Sequence, residues 1–440
     1  MTKVYYIQYT TPMDYKLHKL ESGLRVITVP MPGLESVTVT VWVKTGSRFE
    51  DKRINGISHF LEHMVFKGSV KRPSAKAISE AVDSIGGEFN AGTSKDWTNF
   101  YIKSRSGSAE IAMDVLSDMV LSPLLKSEEI EREKGTIIQE LAMYEDTPMI
   151  KIHDVFEGLI FKENSLGWDI GGEAKSVKRI TKSDFELYRA LHYYPENMFV
   201  SVSGGIEEKK ALELVEKYFN QLKAKSEDRK TTFKDTVFKG VQTKPQFQLK
   251  TKKVEQAHVI LGFLSEGRGY AGRFAQSVLS TILSGPMSSR LFIEVRERRG
   301  LAYAVKPAND KFNEVGYTGV YAGVNVAKSE EAIKVILDQL YGLADGKFPI
   351  SPKELEKTKE YLKGHIALSL EDTQVAGDFF AEQIMFLDEI LTPDALYKRI
   401  DNVTVEEVVQ EAKKIFIKDH LNLAIIGPYK DVEKYKKLLI

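Results

Sequence analysis

Met198-Phe199-Val200-Ser201-Val202-Ser203-Gly204 and Leu421-Asn422-Leu423-Ala424-Ile425-Ile426-Gly427 decide how this chain is organised. Each reads as a strand ending in a glycine turn. Each also follows a helical stretch with a matching start, Ile180-Thr181 in one case and Val403-Thr404 in the other, at a common offset of 223 residues. A second pair agrees: the strand Val37 to Val43 (VTVTVWV) leading to Gly46 resembles Ala257 to Leu264 leading to Gly267, at an offset of 221. Two independent matches at nearly one spacing argue that a unit of about 220 residues is used twice.

Within the first unit, Pro73-Ser74-Ala75 opens a helix expected to run through Ile85, where Gly86-Gly87 stops it. A strand is expected over Asn99 to Lys103 and helices over Ser106 to Leu121 and from Ser127 to about Glu145. Ser127 and the acids after it suit an N-cap and the positive helix end. Lys223 to Lys253 is rich in Lys, Thr and Gln and poor in apolar residues, so it reads as a linker plus the first strand of the second unit. The expected division is therefore residues 1–222, a linker at 223–245, and residues 246–440.

Composition narrows the function. Of 440 residues, 42% are apolar and 28% charged, which belongs to a globular protein. Lys plus Arg and Asp plus Glu both number 62, so there is no overall basic field to hold nucleic acid or an anionic membrane. Met1 to Pro12 shows no signal-like apolar stretch, and no run approaches the roughly 20 residues of a membrane span. A cytoplasmic protein without nucleic-acid or membrane partners is expected. Cys is absent, which excludes disulfides, thiolate zinc sites and a cysteine nucleophile. Any metal must sit on His, Asp or Glu.

His59-Phe60-Leu61-Glu62-His63 is the sharpest chemical feature. On a helix, with His59 at zero, Glu62 falls at about 300° and His63 at about 40°, so all three share one face. Two imidazoles one turn apart can ligate a single Zn²⁺, and a carboxylate between them can work on water without being a ligand. With eight His in the chain, the chance expectation for His-x-x-Glu-His is on the order of 0.01. A catalytic site needs a third protein ligand. Glu133 and Glu140, seven apart, share one stripe of the helix after Ser127, but spacing alone does not choose among Glu131, Glu133, Glu140 and Glu145. His18, His153, His192, His258, His365 and His420 are scattered without ligand spacing.

In these residues the chain resembles the pitrilysin/insulinase zinc metallopeptidases, and among them the short members that include the mitochondrial processing peptidase β subunit. His59-x-x-Glu62-His63 matches the family's inverted zinc motif, Glu140 its distal ligand and Glu133 its auxiliary glutamate. Gly86 to Thr93, with Thr98 and Tyr101 after it, is similar to the segment whose edge strand pairs with the substrate backbone, through Asn90 and Ala91; Asp96 stands where the family's acid is usually Glu. Arg296 and Tyr303 match an Arg and Tyr that contact substrate from the second half.

The resemblance implies an α+β fold of two repeats, each a mainly antiparallel sheet packed with helices. It implies a zinc endopeptidase for short or unfolded peptides, with one Zn²⁺ per chain and Glu62 as general base. Shifting the His59 cluster into the second repeat lands on Gln276, Leu279, Ser280, Leu283 and Ser284, so that repeat is expected to bind no zinc. A homodimer would close a chamber of four repeats. Ser284-Gly285-Pro286-Met287 is short where the family's noncatalytic partner subunit has a long glycine-rich loop, which points to the catalytic type. The rival expectation is a noncatalytic scaffold or peptide-binding subunit of the same fold.

Overall fold

The two duplicated stretches occupy the same place in two sheets. The computed structural model of the chain describes residues 13–220, 222 and 237–439. The first sheet holds β1 (Lys16–Lys19), β2 (Arg25–Pro30), β3 (Ser36–Val43), β4 (Glu88–Thr93), β5 (Thr98–Arg105) and β6 (Met198–Gly204), in the order β1-β2-β6-β3-β5-β4. The second holds β7 (Gln246–Thr251), β8 (Gln256–Glu266), β9 (Ala302–Lys311), β10 (Val315–Asn325) and β11 (Asn422–Gly427), in the order β7-β11-β8-β10-β9. Setting β1 aside, the two orders superpose element for element. Each sheet has one parallel pair, β2 with β6 and β7 with β11, and is otherwise antiparallel. The fold is α+β, two sheet-plus-helix halves.

In the first half the helices that matter for the site are α1 (Ile57–Val65), α2 (Ala75–Asp83), α3 (Ala109–Leu121) and α4 (Ser127–Glu145). Ser74 caps α2 by accepting from the Ala77 N–H, and Gly86 turns the chain at φ 60°. Three boundaries differ from expectation. Asp83 rather than Ile85 ends α2; a 3₁₀ turn at Ser106–Ser108 precedes α3; and Ser127 is the first residue of α4 rather than its cap. Lys126 holds the cap position, after Leu125 in the left-handed region, and makes no side-chain cap bond. Glu128 and Glu129 still sit in the first turn, where the helix dipole favours them.

One face of each sheet is covered by helices of its own half. The other face is covered by a helix from the opposite half. α5 (Pro148–Ile160) lays Ile152 and Phe156 on the second sheet against Ile260, Tyr317 and Ile426. The helix Thr373–Phe386 lays Ala376, Phe380 and Ala381 on the first, against Ile27, Trp42 and Phe199. These two helices begin 225 residues apart, close to the strand offset. Because both faces are covered, β6 and β11 are buried at every residue, which is why their sequences lack alternation. Glycine permits the close approach: a Cβ on Gly262 would lie 2.6 Å from the Phe156 ring, and one on Gly377 would lie 2.7 Å from Ser203 Oγ.

A buried ion cluster ties the halves together. Asp96 receives Arg48 at 2.8 Å and also Arg268, while Arg48 reaches Glu314 at 2.7 Å. Residues 223–236 of the expected linker lie outside the described residues, and 237–245 carry no helix or strand before β7 begins. Among the described residues no helix is long and apolar enough to cross a membrane.

Candidate metal centre

Local sequence places α1. Ile57, Phe60, Leu61 and Met64 are fully buried in the core, which turns His59, Glu62 and His63 onto the opposite stripe. The helix starts where it does because Gly56 takes φ 100° and packs on the Gly171–Gly172 backbone, where a Cβ on Gly56 would lie 2.5 Å from the Gly171 carbonyl oxygen. Buried Glu50 satisfies the free donors of the helix start, accepting from the Gly56 N–H at 2.7 Å, the Ser58 N–H at 2.8 Å and the Asn55 amide at 2.9 Å. Burial pushes the Glu50 carboxyl up to about 7 despite those donors.

α4 crosses this stripe. His59 Nε2 lies 3.7 Å from one Glu140 oxygen and His63 Nε2 lies 3.4 Å from the other. One donor atom from each of the three residues falls within 4.8 Å of the others. With metal–ligand bonds of about 2.1 Å, tetrahedral ligand atoms stand about 3.4 Å apart, so this set fits a small divalent ion with little movement. Two imidazoles and one carboxylate are also a donor set that zinc accepts.

The surrounding residues fix the donors. Glu133 meets His63 Nδ1 at 2.8 Å, which leaves Nε2 facing Glu140, and its other oxygen takes Lys67 Nζ at 2.7 Å. Tyr144 donates to Glu140 at 2.9 Å. His59 Nδ1 is buried and has no hydrogen-bond partner among the described residues. Burial, followed by the neighbouring His63 charge, depresses His59 to about 4, so its ring stays neutral and its nitrogen available. Burial also works against a charge on His63, yet Glu133 and Glu140 outweigh it and raise that ring to about 9. Its bond to His63 holds Glu140 at about 2.

Glu62 stands on the same stripe, and Thr93, the last residue of β4, donates to it. Burial raises the Glu62 carboxyl above its ordinary value, the direction required of a proton acceptor working near neutrality. Asn90 and Ala91 lie on β4, which pairs with β5 on one side and is the outer strand of its sheet. Asn90 is exposed. Arg296 and Tyr303 are brought to each other, the guanidinium 5.2 Å from the ring centroid, and Tyr303 is 72% exposed. Among the described residues neither makes a hydrogen bond or ion pair to the histidine cluster; the partners of Arg296 are Glu297 and the rings of Phe292 and Tyr303.

Tyr144, Lys67, Thr93 and Glu50 do not stand out as site residues in the sequence. Tyr144 and Lys67 each stand four residues after a donor, Glu140 and His63, so helical spacing carried a signal for both. Nothing local marks Glu50 or Thr93, whose roles come from chain reversal.

A metal-type donor set on the first of two like halves defines a class, a duplicated α+β fold with one metal-type centre. By comparison with known proteins, the chain belongs to the insulinase family, peptidase family M16. Residues 25–171 match the family model described as "Insulinase (Peptidase family M16)" and residues 179–362 match "Peptidase M16 inactive domain". An uncharacterized zinc protease of Streptomyces coelicolor is 34% identical over 413 residues, covering 94% of this chain and 89% of that protein. One of Bacillus subtilis is 35% identical over 418 residues, covering 94% of this chain and 98% of that protein. The solved structure of a protease from Helicobacter pylori shares the fold at TM-score 0.88 and 24% identity, over 94% of this chain and all of that one.

Proposed function

We propose that the chain is a zinc-dependent endopeptidase acting on short or unfolded peptides. The convergence of His59, His63 and Glu140 within 4.8 Å carries this reading. These residues would hold one Zn²⁺ per chain, with Glu133 orienting His63. The ion, when bound, supplies a Lewis acid that acidifies water and polarises a peptide carbonyl.

The chain's own residues do the rest. Glu62 takes the proton of the attacking water and returns it to the leaving amine, and Thr93 holds its carboxylate in place. The open side of β4 at Asn90 and Ala91 receives the substrate backbone by strand addition, which reads peptide bonds rather than side chains and so favours unfolded substrates. From the second half, the Tyr303 hydroxyl donates to the developing oxyanion and Arg296 holds the peptide beside it. Residues 1–222 bear the metal and 246–440 supply these contacts. Two chains would enclose a chamber, so a homodimer is expected in solution.

Elemental analysis and a quenched fluorescent peptide assay test the proposal, with and without chelator and with Glu62→Gln. Zinc near one per chain and chelator-sensitive cleavage lost in the variant support it. Zinc-free protein, or cleavage indifferent to Glu62→Gln, contradicts it and favours a noncatalytic scaffold. Light scattering should give about twice 49.7 kDa; a monomer cleaving at full rate contradicts the chamber.

A further inference from the structure

The two histidines of the metal centre are not held alike. His63 has a carboxylate behind it, Glu133 on Nδ1, whereas His59 Nδ1 is buried without a hydrogen-bond partner among the described residues. A ligating imidazole almost always gives its outer ring N–H to a carboxylate, a carbonyl or water, which fixes the tautomer and the ring plane. With His59 Nε2 toward Glu140, Nδ1 is the outer nitrogen.

A loop after α5 brings an acid to that nitrogen. Residues 168–172 are locked onto the start of α1: a Cβ on Gly172 would collide with the Asn55 carbonyl oxygen, and the Asn55 amide donates to the Asp169 carbonyl oxygen at 3.1 Å. A Cβ on Gly171 would stand 3.7 Å from Asp169 Oδ1 and 3.8 Å from His59 Nδ1. Both atoms therefore border one small space, closed on a third side by Leu141, whose Cδ2 would lie 2.8 Å from the same Cβ. Glycine keeps that space free of side chain.

Charge points the same way. Lys151 meets Asp169 Oδ2 at 2.9 Å and Asp154 at 3.0 Å, so one ammonium is shared by two carboxylates. Glu145, 4.0 Å from Lys151, has Lys250 as its own partner. Among the described residues Asp169 Oδ1 accepts only the Gly171 N–H, at 3.1 Å, and a carboxylate oxygen has room for a second donor. Glu140 and Asp169 are the two acids whose charge acts on His59; Asp154 is not one of them. We propose that Asp169 is the positioning residue of His59, as Glu133 is of His63: its carboxylate takes the His59 Nδ1–H across the space beside Gly171 and so fixes the ring that presents Nε2 to the ion. Rotation of the Asp169 side chain, or one water, spans that space. Each imidazole is then braced by a carboxylate, one from α4 and one from the loop after α5. The inference rests on the reading of His59, His63 and Glu140 as zinc ligands.

Chelator competition for zinc at neutral pH, on the full chain and on variants checked for folding by circular dichroism, tests it. Asp169→Asn, which keeps an oxygen for the Gly171 N–H, should weaken zinc binding about 10- to 100-fold. Lys151→Met breaks the same ion pair from its other end, so a merely structural Asp169 would make both variants lose zinc alike. Instead, Lys151→Met should stay within about threefold of the parent or bind more tightly. NMR of isotope-labelled histidines in the parent needs no variant at Asp169. Two ring N–H signals shielded from exchange with water should appear on zinc loading, and Glu133→Gln should remove or shift only one of them. A parent that takes up no zinc overturns the metal centre and this inference with it. If the parent binds zinc, a folded Asp169→Asn within about threefold of it overturns the role of Asp169 alone, as does an equal loss in Lys151→Met. A single shielded ring N–H, the one that Glu133→Gln removes, overturns that role even if neither variant folds.

Discussion

Glu133→Gln isolates the outer layer of the metal centre. Glu133 is buried and both oxygens are engaged, one on His63 Nδ1 at 2.8 Å and one on Lys67 Nζ at 2.7 Å. An amide of the same shape has one acceptor oxygen, so its NH₂ must face either the ring N–H or the ammonium. His63 then loses the partner that sets its tautomer, or Lys67 loses its counter-charge. Removing a carboxylate behind a ligating histidine weakens metal binding about 10- to 100-fold, which is about 1.4–2.8 kcal/mol. Competition between the protein and a calibrated zinc chelator at neutral pH reads this directly. Urea unfolding of the metal-stripped proteins should show a separate loss of about 1–3 kcal/mol from the unsatisfied donor. A Glu133→Gln protein whose zinc affinity stays within about threefold of the parent would mean that Glu133 does not orient His63.

Tyr144→Phe removes a donor from Glu140, so zinc affinity should fall about three- to tenfold; an unchanged affinity in chelator competition contradicts this. Asp96→Ala leaves Arg48 and Arg268 facing each other across the junction of the halves, and chemical denaturation should show a loss of about 3–5 kcal/mol, against less than about 1 if the cluster is dispensable. Glu50, raised to about 7 by burial, binds its proton more tightly folded than unfolded, where its value is about 4.3. Its contribution is therefore most favourable below about pH 4 and is lost as pH rises through 7, so Glu50→Gln should flatten the fall in stability between about pH 5 and pH 8; an unaltered slope contradicts the shift.

The duplication was legible because strand-and-glycine units repeat at one offset, and β6 with β11 and β3 with β8 do stand at equivalent places. The exchange of α5 and the helix Thr373–Phe386 was not legible, because an apolar helix face does not say which sheet it covers. His59, Glu62 and His63 could be read together from one turn of helix. Glu140 could not be chosen over Glu133 by spacing, since both share a stripe; it is the crossing of α4 over α1 that puts Glu140 against both histidines and Glu133 behind one. Ser127 misled as a cap because composition marks helix ends only to within a residue or two.

Zinc content and peptide cleavage, compared in parent and Glu62→Gln proteins from one preparation, test whether His59, His63 and Glu140 hold a catalytic ion. Both proteins should hold equal zinc, near one per chain, with cleavage abolished by chelator and by the substitution. Zinc that is absent from the parent, or cleavage that survives Glu62→Gln, would contradict it.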